Sequence, residues 1–452
     1  MIAQRPVVVS LLRHLGSEES PFSVRRKSAT VQLVDQAQHE TAYRHDPELY
    51  ALCGIADKVR PGQHARCLFQ LLAQSRVGQP NDTRRSLDRI VSQLLLSLDA
   101  EQVLSVFLAL RRTRANHKHA RRTVLRYILN HPCLEQLACQ RRPALVDCLE
   151  HAIGKNVARA CIRFLAEDDQ HGTYIQRNLL RFADNPERAA SVVLFLYRKG
   201  ACPAGQDVVA PLPVGDVTAH TEEMPRTITA TNRGEIAATL VHIYRGGGNA
   251  ELLDAVDRYA REAAATLPRF GGTVALVLDA SASTRGYGER EFCVISQSEA
   301  FRRVLEQCSS RVRVFQVGGS GNPLRPEGDS DLATALLDAL ESDPDVVAIV
   351  SDGYENNLKG DFARVVASLP AAGIETPVVF CYSKFGSKDD LDLRRPAPTL
   401  PELEFWHQQD FADVLWLLFA HARPPVGEAF VRTELRKRLE CLEAGRVAWS
   451  TH

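Results

Sequence analysis

Residues 273–283 read TVALVLDASAS, an apolar run that ends in a carboxylate, Asp279, and continues into Ser281 and Ser283. A strand buried on both faces reads as a continuous apolar stretch rather than an alternating one. Three similar runs follow: RVRVFQVG at 311–318, DVVAIVSDG at 345–353 and TPVVFCY at 376–382. Helical patterns lie around them, at 289–308, 330–342, 360–371 and 410–422. Strands alternating with helices predict a parallel sheet covered on both sides, a doubly wound (Rossmann-like) α/β domain over 269–423.

In such a sheet ligands bind beyond the carboxyl ends of the strands. Three elements bring oxygen donors there: Asp279-x-Ser281-x-Ser283, then Gly328-Asp329-Ser330-Asp331 before a helix, then Ser351-Asp352-Gly353 at the end of a later strand. Two carboxylates and three hydroxyls in one crevice describe a site for a hard cation such as Mg²⁺, or Mn²⁺ or Ca²⁺. None of these donors is Cys or His, which disfavours zinc.

This pattern resembles the metal-ion-dependent adhesion site of von Willebrand factor A (vWA) domains, with DxSxS after the first strand, a hydroxyl before a helix and an Asp after a later strand. The resemblance implies that Ser281 and Ser283 ligate the metal directly and that Asp279 does so directly or through water. Ser330 stands where the family usually has Thr, and Asp352 matches the last element. It also implies an open coordination position that a partner's carboxylate fills, so that binding needs the cation. Arg285, Tyr287 and Tyr354 would then form a rim.

Upstream the chain changes character. Residues 1–42 are hard to read, polar with one apolar run near Val7–Leu12. From 43 to 200 apolar positions recur at helical spacing, in 68–74, 87–98, 103–112, 124–129, 145–154, 157–166 and 190–200. Breaks fall at Pro61-Gly62, Pro80-Asn81-Asp82 and Asn185-Pro186, and Asp82 and Asp99 read as helix N-caps. The expectation is an all-α, loosely HEAT-like domain. Residues 201–234, rich in Pro, Thr, Gly and Ala, read as a linker. Two helices should follow within 201–268, at 235–244 and 250–266, separated by a turn at Gly246-Gly247-Gly248. The tail, 424–452, predicts one charged amphipathic helix at 426–444.

Overall charge is zero, but it is unevenly spread. Residues 103–163 hold twelve Arg or Lys against three acidic residues, whereas 270–423 hold fourteen against twenty-three. The densest basic feature is Arg111, Arg112, Arg114, Lys118, Arg121 and Arg122, a pattern suited to phosphate backbones. Eleven cysteines without a CxxC pair read as buried free thiols in a reducing compartment. No long apolar run suggests a membrane span, and no cleavage site follows the first apolar run, so the expected location is cytoplasmic. No GxSxG, HExxH or GxxxxGK[ST] motif occurs, so a binding protein is expected rather than an enzyme.

A basic helical region before a carboxy-terminal A-type domain resembles the layout of the Ro autoantigen family, ring-shaped RNA-binding proteins. That likeness implies an RNA partner and carries over no individual contact residue. The same layout is similar to bacterial A-domain proteins that work with MoxR-type AAA+ ATPases, which implies an ATPase partner and no RNA.

Overall fold

The computed structural model of the chain describes residues 6–17, 31, 33, 35–167, 172–197, 235–247, 250–386, 389, 391 and 394–449. The linker expected at 201–234 lies outside the described residues. The chain divides into two compact units, one comprising 11–219 with 435–452, the other 1–10 with 220–434.

The first unit is built from the part of helix α1 (Val7–Ser17) that follows Ser10 and from α2 (Gln36–His45), α3 (Pro47–Cys53), α4 (Pro61–Ala73), α5 (Asn81–Ser97), α6 (Ala100–Arg112), α7 (Lys118–Asn130), α8 (Leu134–Ile153), α9 (Lys155–Ala166), α10 (Thr173–Asn178) and α11 (Pro186–Tyr197). No strand occurs in it among the described residues. The helix breaks come from local chemistry. Asp99 caps α6 in a reciprocal capping box with Gln102, satisfying two otherwise orphaned N–H groups. Asp82 does not cap α5 as expected. Pro80 takes that position, and Asp82 sits in the first turn, where its charge still complements the helix dipole. Pro143 lies inside α8, and the helix kinks at Arg141 (φ −126°, ψ 27°), two residues ahead of it, because a proline within a helix lacks the N–H and its ring crowds the preceding turn.

Nine of the described cysteines are free, seven of them buried. Cys139 departs from the expectation of free thiols, being disulfide-bonded. It is exposed on α8.

The second unit holds α12 (Ile236–His242) and α13 (Ala250–Ala264), then β1 (Phe270–Asp279), α14 (Cys293–Cys308), β2 (Ser309–Val317), α15 (Leu332–Glu341), β3 (Val346–Ser351), α16 (Asp361–Ser368), β4 (Val378–Ser383), β5 (Glu402–Phe405) and α17 (Phe411–Ala420). After α12 the segment Ile243–Gly247 is π-helical, and Gly246 of the glycine run takes φ +96°. The helix α18 (Pro424–Trp449) follows. Its last turns belong to the helical unit, where Arg436 makes a paired contact with Glu48 at 2.8 and 2.9 Å and Glu443 meets Arg89 at 2.9 Å.

The five strands form one parallel sheet in the order β2-β1-β3-β4-β5. The strand β5 was not anticipated, because ELEF is four residues long and alternates charge with apolar residues, as an edge strand does. β1, β3 and β4 are buried almost throughout. Ala275, Val277, Val347, Ile349 and Phe380 face α15 and α16, packing on Leu336, Ala339, Phe362 and Val366. The opposite face of the strands meets α14 and α17. With apolar cover on both sides, neither face can be polar, hence the unbroken runs in the sequence. No described helix is long and apolar enough to cross a membrane.

Candidate metal centre at the sheet switch point

From β1 the chain moves to β2 on one side, then crosses to β3 on the other. The crevice between the carboxyl ends of β1 and β3 is therefore the topological switch point, where an open α/β sheet has room for a ligand. Asp279 is the last residue of β1, and Ser351 the last of β3, followed at once by Asp352.

The loops that complete the crevice are held by main-chain hydrogen bonds. Ala280 N donates to Val317 O at 2.8 Å, Ala282 N to Gly328 O at 3.0 Å and Glu327 N to Ala280 O at 3.0 Å. These clip the segment 318–328 against the DxSxS turn and thereby deliver Ser330. The approach requires glycine. A Cβ at Gly318 would stand 2.5 Å from Glu327 O, and one at Gly319 2.6 Å from the Ala280 Cβ, both at positive φ.

The five expected donors converge. Ser330 Oγ lies 2.8 Å from Ser281 Oγ, Ser281 Oγ 3.1 Å from Ser283 Oγ, and Ser283 Oγ 3.4 Å from Asp352 Oδ1. Asp279, Ser281, Ser330 and Asp352 are fully buried, and Ser283 is half-buried. Asp279 sits behind the hydroxyls, its Oδ1 accepting from Ser281 N at 2.9 Å and its Oδ2 from Ser351 Oγ at 2.6 Å. Asp352 Oδ1 accepts from Tyr354 N at 3.0 Å. Asp352 Oδ2 is buried with no hydrogen-bond partner.

A buried carboxylate oxygen without a donor is costly unless a cation faces it. Burial, and next the charge of Asp279, push the Asp352 carboxyl up to about 7. Burial raises Asp279 as well, against hydrogen bonds from Ser351 and Ser281 that lower it. Two desolvated carboxylates beside three hydroxyls fit a hard divalent ion, which takes oxygen donors and supplies the missing positive charge.

Three neighbours complete this centre, of which Asn356 and Arg394 escaped sequence reading. Ser351 anchors Asp279, Asn356 Nδ2 reaches Ser330 Oγ at 3.4 Å, and buried Arg394 donates to Asp352 O at 3.2 Å while stacking over Tyr354. Ser351 was legible as the residue before Asp352. Asn356 and Arg394 carry no signal of spacing. Of the expected rim, Tyr287 and Tyr354 are exposed, and Arg285 is paired with Glu291 at 2.8 Å.

The basic cluster of the helical unit is divided among partners. Arg111 reaches Asp147 on α8 at 2.8 Å, and Arg122 joins Arg76 around Asp88 on α5. Arg121 donates to Ala152 O. Arg112 is half-buried, while Arg114 and Lys118 are exposed.

No family model matches this chain, and no curated protein matches it. Among solved structures it is similar to the Ro (RSR) protein of Deinococcus radiodurans. The sequence identity is 14%, 95% of this chain and 100% of that one are covered, and the TM-score is 0.32. A likeness of that extent carries no functional argument.

Proposed function

We propose that the α/β unit is a vWA-type domain whose adhesion site binds Mg²⁺ and grips a carboxylate of a protein partner. The observation that carries this reading is Asp352 Oδ2, buried and without a donor amid the hydroxyls of Ser281, Ser283 and Ser330. Mg²⁺ takes about six oxygens at roughly 2.0–2.1 Å and keeps some of them as water. Five side chains that hold it from one side leave room for a ligand from outside. The ion's charge makes such a contact a strong anchor on little surface.

Binding is favoured over catalysis by the state of the two carboxylates. Both oxygens of Asp279 and Oδ1 of Asp352 already accept hydrogen bonds. Once Asp352 Oδ2 faces the cation, neither carboxylate of the cluster has an oxygen free to act as a general base.

The test is calorimetric titration of the chelator-treated chain with Mn²⁺, followed by acetate as a probe of the open position. One tight equivalent, lost in Asp352→Ala, with acetate binding only to the metal-loaded protein, is the expected outcome. Mn²⁺ bound equally by the variant, or acetate bound without metal, overturns it.

A second element of the reading concerns the helical unit, where the exposed cations Arg114, Lys118 and Arg126 support contact with RNA phosphates. Binding of mixed-sequence RNA should weaken with salt and fall further in the Arg114→Glu, Lys118→Glu double variant. Binding unchanged by both refutes an electrostatic RNA face.

A further inference from the structure

Residues of three helices in the helical unit meet at a second polar centre, far in sequence from the DxSxS loop. His14 of α1, Asp35 just ahead of α2, His39 of α2 and Gln63 of α4 aim polar atoms at one point. His14 Nε2 lies 3.0 Å and His39 Nε2 3.2 Å from the same oxygen, Asp35 Oδ2. Gln63 Oε1 is 3.1 Å from His39 Nε2, and Gln63 Nε2 is 3.3 Å from His14 Nε2 and donates to Asp35 Oδ2 at 3.2 Å. The nitrogens of the two imidazoles and the carboxylate oxygen all lie within 4.8 Å of one another.

Ligands at about 2.0–2.1 Å from a tetrahedral zinc ion stand roughly 3.3 Å apart, which the two imidazole-to-carboxylate distances of 3.0 and 3.2 Å approach. The surroundings orient the donors as metal ligands are oriented. His39 Nδ1 lies 2.8 Å from the buried hydroxyl of Tyr50. A proton on Nδ1, donated to Tyr50, leaves the Nε2 lone pair pointing at the common centre. That lone pair then faces two acceptor oxygens, Gln63 Oε1 and Asp35 Oδ2, of which the second keeps a lone pair beside the one that takes the Gln63 amide. Asp35 Oδ1 is taken from the other side by Arg66 Nε at 3.0 Å. Arg66 is fully buried and is itself fixed by Gln70 and Gln36, both at 3.1 Å. The carboxylate is thus held with Oδ2 alone turned inward.

We propose that His14, His39 and Asp35 bind a divalent transition ion of the zinc class, with Gln63 beside the fourth position. Two imidazoles with one carboxylate suit borderline-soft ions and not Mg²⁺, which distinguishes this centre from the hydroxyl site in the α/β unit. His39 is inaccessible, and the side chains of Asp35 and His14 are only 8% and 12% exposed. The ion is therefore structural, entering past His14 and fastening α1 to α2 and α4.

The full-length Asp352→Ala chain, which lacks the other cation site, is stripped with chelator and titrated with Co²⁺. The expected result is visible d–d absorption that saturates at one equivalent and is displaced by Zn²⁺. The thermal midpoint should rise on Zn²⁺ loading, and both signals should vanish in His14→Gln, whose folding is checked by circular dichroism. A folded parent chain with no Co²⁺ spectrum and no Zn²⁺-dependent midpoint overturns the site and leaves a plain hydrogen-bond network. So does a spectrum that survives in His14→Gln together with His39→Gln.

Discussion

Asp352→Asn separates the cost of the metal centre from its use. In the metal-free protein the Asp352 carboxyl stands at about 7, well above the ordinary carboxylate range, because it is buried beside Asp279. At roughly 1.36 kcal/mol for each tenfold change in proton affinity, holding it ionised near pH 7 costs the α/β unit about 4 kcal/mol. The sign follows from the raised value. The folded unit is favoured below the unfolded carboxyl's pKa and loses that advantage as pH rises towards 7. Asparagine removes the charge. Its amide nitrogen would replace the unpartnered Oδ2 and stay unsatisfied, at about 1–3 kcal/mol. The metal-free variant should therefore be more stable than the parent by about 1–3 kcal/mol at neutral pH. Saturating Mg²⁺ should stabilise only the parent, by about 2.7 kcal/mol at a hundredfold excess over Kd. Urea unfolding with chelator or Mg²⁺, in a Trp449→Phe background, reads this out through Trp406 and Trp416 of the α/β unit. A variant less stable than the parent in chelator, or equally stabilised by Mg²⁺, would refute the account of Asp352.

Three further outcomes follow from the same reasoning. Burial, with the charge of Arg438 near one and Arg76 near the other, lowers His64 and His119 to about 4. Protons then favour the unfolded chain between pH 6.5 and 4, so acidification to pH 5 should cost the helical unit about 2 kcal/mol at His64 and less at the more solvent-screened His119; thermal midpoints that do not fall, or fall equally in the His64→Gln, His119→Gln double variant, count against it. Asp99→Ala removes the capping box of α6 and should cost about 1 kcal/mol, seen as faster amide exchange at Gln102. Gly319→Ala places a Cβ 2.6 Å from that of Ala280 at φ +71° and should destabilise the α/β unit by about 1–3 kcal/mol while weakening Mn²⁺ binding at least tenfold, both measurable by calorimetry.

Much of the α/β unit could be read directly because its signals are local. A strand covered on both faces must be apolar at every position, and Val274–Leu278, Val346–Val350 and Val378–Cys381 announce it. β5 escaped because an edge strand needs no such run. Asp279, Ser281 and Ser283 declare themselves by spacing within one turn, whereas Arg394 reaches the centre from a loop forty-two residues after Asp352. In the helical unit the six clustered cations looked like one surface, but the helices send Arg111 to Asp147 and Arg122 to Asp88.

The sequence by itself determined the kinds of element, the parallel sheet and the oxygen-only character of the loop after β1, since each follows from periodicity or from donor chemistry within a few residues. The tertiary structure alone decided which oxygens meet. The crossing from β2 to β3 sets Asp352 against Ser283, and the clipped loop 318–328 brings Ser330 to Ser281. It alone also joined His14 to Asp35 and His39 across twenty-one and twenty-five residues. Asp35 and His39 are neighbours by helix spacing, but His14 arrives on a separate helix. Sequence distance carries no information about such a meeting, because helix packing creates it.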